Sequence, residues 1–217
     1  MRRNGNGPVV AIDIDGTLGD YHTHFLRFAQ DWYGRPMPDP EDINPGLPLH
    51  KFMGTSKATY RKCKLAYRQG GLKRSMPCYY GAKDITEALR RAGAEVWICT
   101  TRPYLRLDNI DPDTRHWLRR NGIQYDAVLW GEHKYRDLVK QVDRERIVGV
   151  LDDLPAMLDQ ANSLGLRTLI RDQPYNRQRV DAEPVCPYAT RVLNLLEAQF
   201  VLKMYLSGEW KDDHNEY

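Results

Sequence analysis

The chain has 217 residues, 41% of them hydrophobic and 28% charged, with a formal net charge of +3. Such a length suits one compact domain with an insertion or two small domains, and the composition excludes a fibrous or disordered chain. The charge is too small to argue for nucleic acid by itself, and no stretch approaches the ~20 apolar residues of a membrane span. The opening run Met1-Arg2-Arg3-Asn4-Gly5-Asn6-Gly7 is a short polar arm with no apolar segment behind it that would serve as a signal sequence. The four cysteines, Cys63, Cys78, Cys99 and Cys186, form no close metal-binding pairs. Cys99 falls in an apolar run and reads as inert core, so a reducing cytoplasm is expected.

Val9-Val10-Ala11-Ile12 is apolar on both faces and too short for a helix, which predicts a buried strand. It leads into Asp13-Ile14-Asp15-Gly16-Thr17. Carboxylates two residues apart point to one side of a strand's end, and Gly16 and Thr17 break the strand and turn backbone N–H groups to that point. Like charges so close are costly unless a cation joins them, and two hard oxygen donors suit Mg²⁺. Taken alone, the motif leaves open the reading of an Asp-rich turn after an edge strand.

Residues 21–80 are rich in Pro, aromatics and helical fragments and read as an insertion over the end of that strand. His22 and His24, two apart, would diverge on a helix and are expected as polar surface rather than metal ligands. Lys and Arg thicken between Lys57 and Arg74, either as a solvated helical face or as a phosphate-attracting rim; the solvated face is the expectation. From Gly81 the pattern alternates. Ala82 to Arg91 is helical and stops at Gly93, and Glu95 to Cys99 is a strand. Asp111-Pro112-Asp113 starts a helix that Gly122 ends. Ala127 to Trp130 is a strand, Lys134 to Val142 a helix, Ile147 to Leu151 a strand. Pro155 opens a helix to about Leu164, and Leu166 to Ile170 is the last clear strand. Thr190 to Leu206 reads as an amphipathic helix with Val192, Leu193, Leu196, Phe200 and Met204 as core candidates. The series implies an α/β fold, a Rossmann-like parallel sheet with helices on both faces and ligands beyond the strands' carboxyl ends.

Four strands end in residues that phosphoryl transfer needs: Asp13 and Asp15, then Thr100 and Thr101, then Lys134, then Asp152 and Asp153. Singly, Thr100 reads as a helix cap, Lys134 as a surface lysine and Asp152-Asp153 as the cap of the Pro155 helix. In this order, each at a strand end, they fit one polar site better than four coincidences.

These four motifs resemble those of the haloacid dehalogenase superfamily across the whole core. The resemblance implies Asp13 as a nucleophile forming an aspartyl-phosphate and Asp15 as general acid, then base. It implies Mg²⁺ held by the Asp13 side chain, the Asp15 carbonyl and Asp152, with Asp153 tying down Lys134 or a metal-bound water. Thr100, Thr101 and nearby amides would bind phosphate, and Lys134 would offset charge on Asp13 and the phosphoryl group. Repulsion between a carboxylate and an anionic phosphate is about 4 kcal/mol per charge pair at about 4 Å with an effective dielectric near about 20, which a divalent cation and one lysine reverse. The superfamily's ion pumps carry Thr at the position of Asp15, so a hydrolase is expected here. The expected layout is a discontinuous core of residues 8–20 and 81–206, a small helical cap over 21–80, and flexible ends at 1–7 and 207–217.

The cap is similar to that of the 5′(3′)-deoxyribonucleotidases, through Leu18-Gly19-Asp20-Tyr21, Tyr79-Tyr80-Gly81-Ala82, Ile98-Cys99-Thr100-Thr101 and Asp172-Gln173-Pro174-Tyr175-Asn176. That implies a small phosphate ester, a nucleoside monophosphate, as substrate. Tyr21 falls where the family sets an aromatic against the base and reads equally as a core tyrosine at the cap hinge. Arg102 departs from that family's pattern, where Pro follows the second Thr. Thr101-Arg102-Pro103 with Asp113-Thr114-Arg115-His116-Trp117-Leu118 and Tyr125-Asp126 resembles instead the phosphatase domain of polynucleotide kinase-phosphatases, which implies nucleic-acid 3′ ends as an alternative substrate. No Gly-rich kinase loop accompanies it, and a cap would hinder a polymer end. A non-enzymatic binder with a dead site is opposed by the intact Asp13, Asp15, Lys134 and Asp152.

Overall fold

A computed structural model describes residues 5–44, 46–103, 107–177 and 185–209. Six strands form one sheet in the order β3-β2-β1-β4-β5-β6: β1 Val9–Ile12, β2 Glu95–Thr100, β3 Ala127–Trp130, β4 Ile147–Asp152, β5 Thr168–Arg171 and β6 Thr190–Val192. Every pairing is parallel. The helices are α1 Tyr21–Tyr33, α2 Leu49–Phe52, α3 Lys57–Gln69, α4 Ala82–Arg91, α5 Ile110–Arg120, α6 Lys134–Gln141, α7 Pro155–Asn162 and α8 Leu195–Ser207. The α/β class and the parallel sheet are therefore as expected.

β1 shows why its run is apolar throughout. Val10 and Ile12 join a core with Phe25, Ile85, Leu89, Trp117 and Leu202, whereas Val9 and Ala11 join a second core with Tyr135, Leu138, Leu158 and Ala161. Helices α4, α5 and α8 thus cover one face and α6 and α7 the other, and a strand buried on both faces has no polar side. β1 pairs with β2 on one side and β4 on the other, so the sheet reverses direction of travel there and opens a crevice beyond the strand ends. Register decides what meets in that crevice. Ile12 lies opposite Ile98 and Leu151, and Asp13 N donates to the Leu151 carbonyl at 3.0 Å. Asp13 therefore leaves the sheet level with Asp152.

Residues 21–80 carry α1, α2, α3 and tight turns at Pro40–Asp42 and Leu72–Arg74. The chain leaves and returns through a narrow neck: Asp20 N donates to the Pro77 carbonyl and Tyr79 N to the Leu18 carbonyl, both at 2.9 Å. Asp20 also caps α1 through the Thr23 amide, and Ser56 caps α3 through that of Thr59.

The chain's last segment differs from expectation. Thr190–Val192 is not helical but pairs with β5, and α8 begins at Leu195. Val192 is core, but Leu193, Leu196 and Phe200 are 63%, 47% and 61% exposed and Met204 is half-buried. The buried face is Leu195, Ala198, Val201, Leu202 and Tyr205. The helix is apolar nearly all round, so periodicity does not choose its face. Asn194 does: its side chain accepts from the Leu196 and Glu197 amides and sets where the helix starts. Smaller shifts occur at β5, which runs Thr168–Arg171 rather than from Leu166, and at α5, where Asp111 lies inside the first turn rather than capping it. The expected flexible ends fall largely on residues 1–4 and 210–217, outside the described residues; Gly7, by contrast, accepts from Arg146 Nε at 3.0 Å. No helix among the described residues is long and apolar enough to cross a membrane.

Candidate active site

Asp13 and Asp152 leave adjacent strands side by side, and Lys134, at the first turn of α6, rises between them. Its ammonium meets Asp13 Oδ1 at 2.5 Å, Asp152 Oδ2 at 2.6 Å and the Cys99 carbonyl at 3.0 Å. All three side chains are buried. Tyr135, the next residue, donates its hydroxyl to Asp152 Oδ2 at 2.6 Å, and the Leu154 amide donates to Asp152 Oδ1 at 2.9 Å. Burial works against the Lys134 charge, but Asp13 and Asp152 outweigh it and hold the ammonium above its ordinary range.

Carboxylate oxygens of Asp13, Asp152 and Asp153 lie within 4.8 Å of one another. Burial raises the Asp13 carboxyl to about 7 despite Lys134, with Asp152 adding to the rise. Burial, then Asp152 and Asp13, push the Asp153 carboxyl well above its usual range. Three buried carboxylates with one ammonium carry excess negative charge, and an all-oxygen set of this kind fits a hard divalent cation.

Of the two partners expected for Asp153, Lys134 or a metal-bound water, the first is not used. Asp153 does not reach Lys134; it accepts from Thr17 Oγ1 at 2.9 Å and from the Tyr175 hydroxyl, while its own carbonyl takes Asn176 Nδ2 at 2.7 Å. The Asp15 carboxylate stands apart from this cluster. The position between them is forced to be glycine. Gly16 has φ +98°, and a Cβ there would collide with the Asp153 carboxylate and the Tyr175 hydroxyl.

Asp15 faces two buried cations instead. Arg102 reaches Asp15 Oδ1 through Nη2 at 2.6 Å and through Nε at 3.2 Å, and its Nη1 donates to Thr114 Oγ1 at 2.9 Å. The Lys73 ammonium pairs with the other oxygen. Burial alone would raise the Asp15 carboxyl, but Arg102 and then Lys73 outweigh it and hold it well below the usual carboxylate range. Burial also pulls the Lys73 ammonium well below its ordinary value, against the support of Asp15, so Arg102 is the permanent cation of the trio. Lys73 and Arg102 are each only 2% exposed. The basic stretch from Lys57 to Arg74 is thus not simply a solvated face, because its Lys73 is buried at the site.

A cavity of about 190 Å³ above these groups is lined by Asp13, Asp15, Tyr21, Thr101, Arg102 and Asp153, among others. Thr100 is buried behind it, its Oγ1 accepting from Arg102 N at 3.4 Å. Tyr21 is packed rather than free. Its ring stacks on Phe25 at 5.5 Å, meets Tyr67 edge-on and has the Lys73 ammonium 3.9 Å from its centroid. Its buried hydroxyl has no hydrogen-bond partner among the described residues. His22 and His24 are half-buried rather than surface residues: the His22 ring lies 4.3 Å from that of Tyr175, and His24 Nδ1 is 2.7 Å from the Tyr67 hydroxyl. Neither belongs to the carboxylate cluster. Cys99 behaves as expected, burial pushing its thiol up to about 12.

Sequence reasoning missed Lys73, Tyr135 and the use made of Arg102 and Tyr175. Arg102 had one signal, its departure from the pattern after Thr101. Lys73 had none, being one lysine among several in a basic run.

The strand order, with its helical insertion after the central strand, is that of the haloacid dehalogenase-like fold. A haloacid dehalogenase-like family hydrolase, SP0104 from Streptococcus pneumoniae, superposes with a TM-score of 0.58 at 16% identity, covering 90% of this chain and 98% of that one. CbbY from Rhodobacter sphaeroides, solved in complex with phosphate, gives 0.60 at 17% identity over 88% of this chain and 95% of that one. Likeness at these identities is one of fold. Residues 7–198 match the family model described as 5′ nucleotidase, deoxy (Pyrimidine), cytosolic type C protein, and the chain belongs to that family. OB0422 of Oceanobacillus iheyensis, provisionally named a nucleotidase, is 30% identical over 107 residues, which are 48% of this chain and 53% of that protein. The matched stretch thus spans about half the length of this curated relative.

Proposed function

We propose that the chain is a Mg²⁺-dependent phosphomonoesterase that dephosphorylates nucleoside monophosphates through an aspartyl-phosphate on Asp13. The observation that carries this reading is the grouping of Asp13, Lys134, Asp152 and Asp153 beyond the sheet, with Asp13 and Asp153 lining the cavity and Lys134 and Asp152 buried beneath it. Asp13, Asp152 and the Asp15 carbonyl would hold the cation, with Asp153 beside them. When bound, Mg²⁺ supplies charge that offsets the phosphate and the buried carboxylates. Lys134 favours the ionised form of Asp13 against the effect of burial, holds it in place and neutralises charge near the phosphoryl group. Thr101, on the cavity wall, and Thr100 behind it are the phosphate-side residues. The P–O bond to the leaving alkoxide breaks as Asp13 takes the phosphoryl group, and water then cleaves the acyl phosphate to release inorganic phosphate.

Asp15 is the general acid and base of this scheme, with a condition. Paired to Arg102 and Lys73 its carboxyl stays ionised at neutral pH, which suits the base that activates water and opposes the acid that protonates the leaving group. An arriving phosphate competes for both cations. In this reading they shift from Asp15 to the phosphate oxygens, and the freed carboxyl can then take up the proton it later donates. Residues 21–80, which supply Lys73 and Tyr21, serve as the cap. Buried Cys63, Cys99 and Cys186 and exposed Cys78, all free thiols, suit a reducing cytosol.

The test is phosphate release across nucleoside monophosphates with Mg²⁺ present and chelated, in wild type and Asp13→Asn. Wild type should turn over only with the cation, and Asp13→Asn should fold yet lose nearly all turnover, since an amide neither attacks phosphorus nor binds metal strongly. Near wild-type release from that variant would remove Asp13 as nucleophile.

A further inference from the structure

Tyr60, Lys64 and Arg68 follow one another at four-residue spacing on α3, which sets them along one helix face. All three line the cavity that holds Asp13 and Asp15, and all three also line an outer groove of about 620 Å³ with Arg61, Pro103 and Leu107. They are the shared wall between the two spaces. The Lys64 ammonium lies 5.5 Å from the Tyr60 ring centroid and 5.9 Å from that of Tyr21. Lys73 and Arg102 are occupied by Asp15, but among the described residues neither Lys64 nor Arg68 has a carboxylate partner. Both are half-buried. Burial, then the nearby Arg68 charge, pull the Lys64 ammonium down to about 8. The countercharge that acts on Lys64 is Asp15, which is already paired with Lys73 and Arg102, so two neighbouring cations with no ion-pair partner of their own among the described residues suit a ligand anion.

Size points the same way. The inner cavity of about 190 Å³ is smaller than the roughly 300–1,000 Å³ of sites that enclose a whole small molecule. A phosphoryl group seated at Asp13 leaves the rest of the substrate to pass Lys64 and Arg68 into the groove.

We propose that Lys64 and Arg68 bind a second phosphate on the leaving group, so that the preferred substrate is a phosphomonoester whose leaving group is itself phosphorylated. This rests on the monoesterase reading and names its substrate class. The bonds made and broken are those of the simple ester, and the second phosphate is held but not transferred. A nucleoside 3′,5′-bisphosphate and the end of a 3′-phosphorylated oligonucleotide present this same chemistry.

The experiment has a binding arm and a turnover arm. In the binding arm, calorimetry on Asp13→Asn compares a nucleoside 5′-monophosphate with its 3′,5′-bisphosphate and with a 3′-phosphorylated dinucleotide. One charge-assisted contact is worth about tenfold or more, so at least one doubly phosphorylated ligand should bind about tenfold tighter than the monophosphate. Which of the two it is identifies the source. Adding Lys64→Gln and Arg68→Gln should abolish the preference. In the turnover arm, the same pair of changes in an otherwise wild-type chain should raise KM for the preferred substrate and leave kcat/KM for p-nitrophenyl phosphate unchanged. Equal binding of mono- and doubly phosphorylated ligands, or equal loss on every substrate, overturns the proposal. A wild-type chain that keeps the binding preference but hydrolyses no monoester overturns the monoesterase reading alone.

Discussion

The Tyr21 hydroxyl is buried with no hydrogen-bond partner among the described residues, in a residue that lines the cavity. Such a group costs about 1–3 kcal/mol where it stays unpaired, so its survival there argues for a partner that arrives with the substrate. The ring already rests on Phe25, Tyr67 and the Lys73 ammonium, which leaves the hydroxyl, rather than a free ring face, to meet a ligand. Tyr21→Phe should therefore raise KM for a nucleoside monophosphate while raising the melting temperature. A tyrosine that matters only for packing predicts an unchanged KM, and that result would retire it as a substrate contact. Single residues also show what sequence can reveal at this site. Asp13, Lys134 and Asp152 were legible because Asp13 and Asp152 sit at strand ends and Lys134 opens the helix just past one, positions the apolar runs advertise. Lys73 was not, because its role depends on where a turn in the insertion comes to rest against Asp15, 58 positions away in the chain.

At the scale of elements, β1, β3 and α4 could be read from sequence to the residue, since each has one periodicity and a clear stop at Asp13, Gly131 or Gly93. α8 could not. Its all-round apolar surface offers several equally good faces, and only the Asn194 cap and the pairing of Thr190–Val192 with β5 select one. The face can be checked by paired truncations. Leu202 is fully buried, and Leu202→Ala should cost about 2–5 kcal/mol through lost burial and the cavity left behind. Phe200 is 61% exposed, and Phe200→Ala should stay within about 0.5 kcal/mol in urea unfolding. The reverse ranking would mean that α8 packs by the Leu196–Phe200 face.

For the whole molecule, the buried carboxylates tie stability to pH and to metal. Asp13 has a folded pKa of about 7 against an ordinary value of 3.8, so the folded chain holds a proton that the unfolded chain has released between those limits. The state with more bound protons loses ground as pH rises, so this group costs metal-free stability progressively from about pH 4 to pH 7. Asp15 contributes with the opposite sign. Its folded pKa is depressed by Arg102 and Lys73, so its support is complete above the ordinary carboxylate range and is lost only as pH falls below it. Between about pH 4 and pH 7 the Asp13 effect therefore acts without that opposition. Asp13→Asn removes the Asp13 titration and leaves those of Asp153 and His22 in both proteins, so the metal-chelated wild type should lose melting temperature relative to Asp13→Asn as pH rises through this window. On the proposed reading, Mg²⁺ would bind the ionised carboxylates and stabilise by mass action, about 2.7 kcal/mol at a hundred times Kd. Its increment in wild type should accordingly grow with pH over the same range, and in Asp13→Asn it should be smaller throughout. Parallel melting curves for the two proteins, with a metal increment independent of pH, would mean that Asp13 is neither the titrating group nor a ligand.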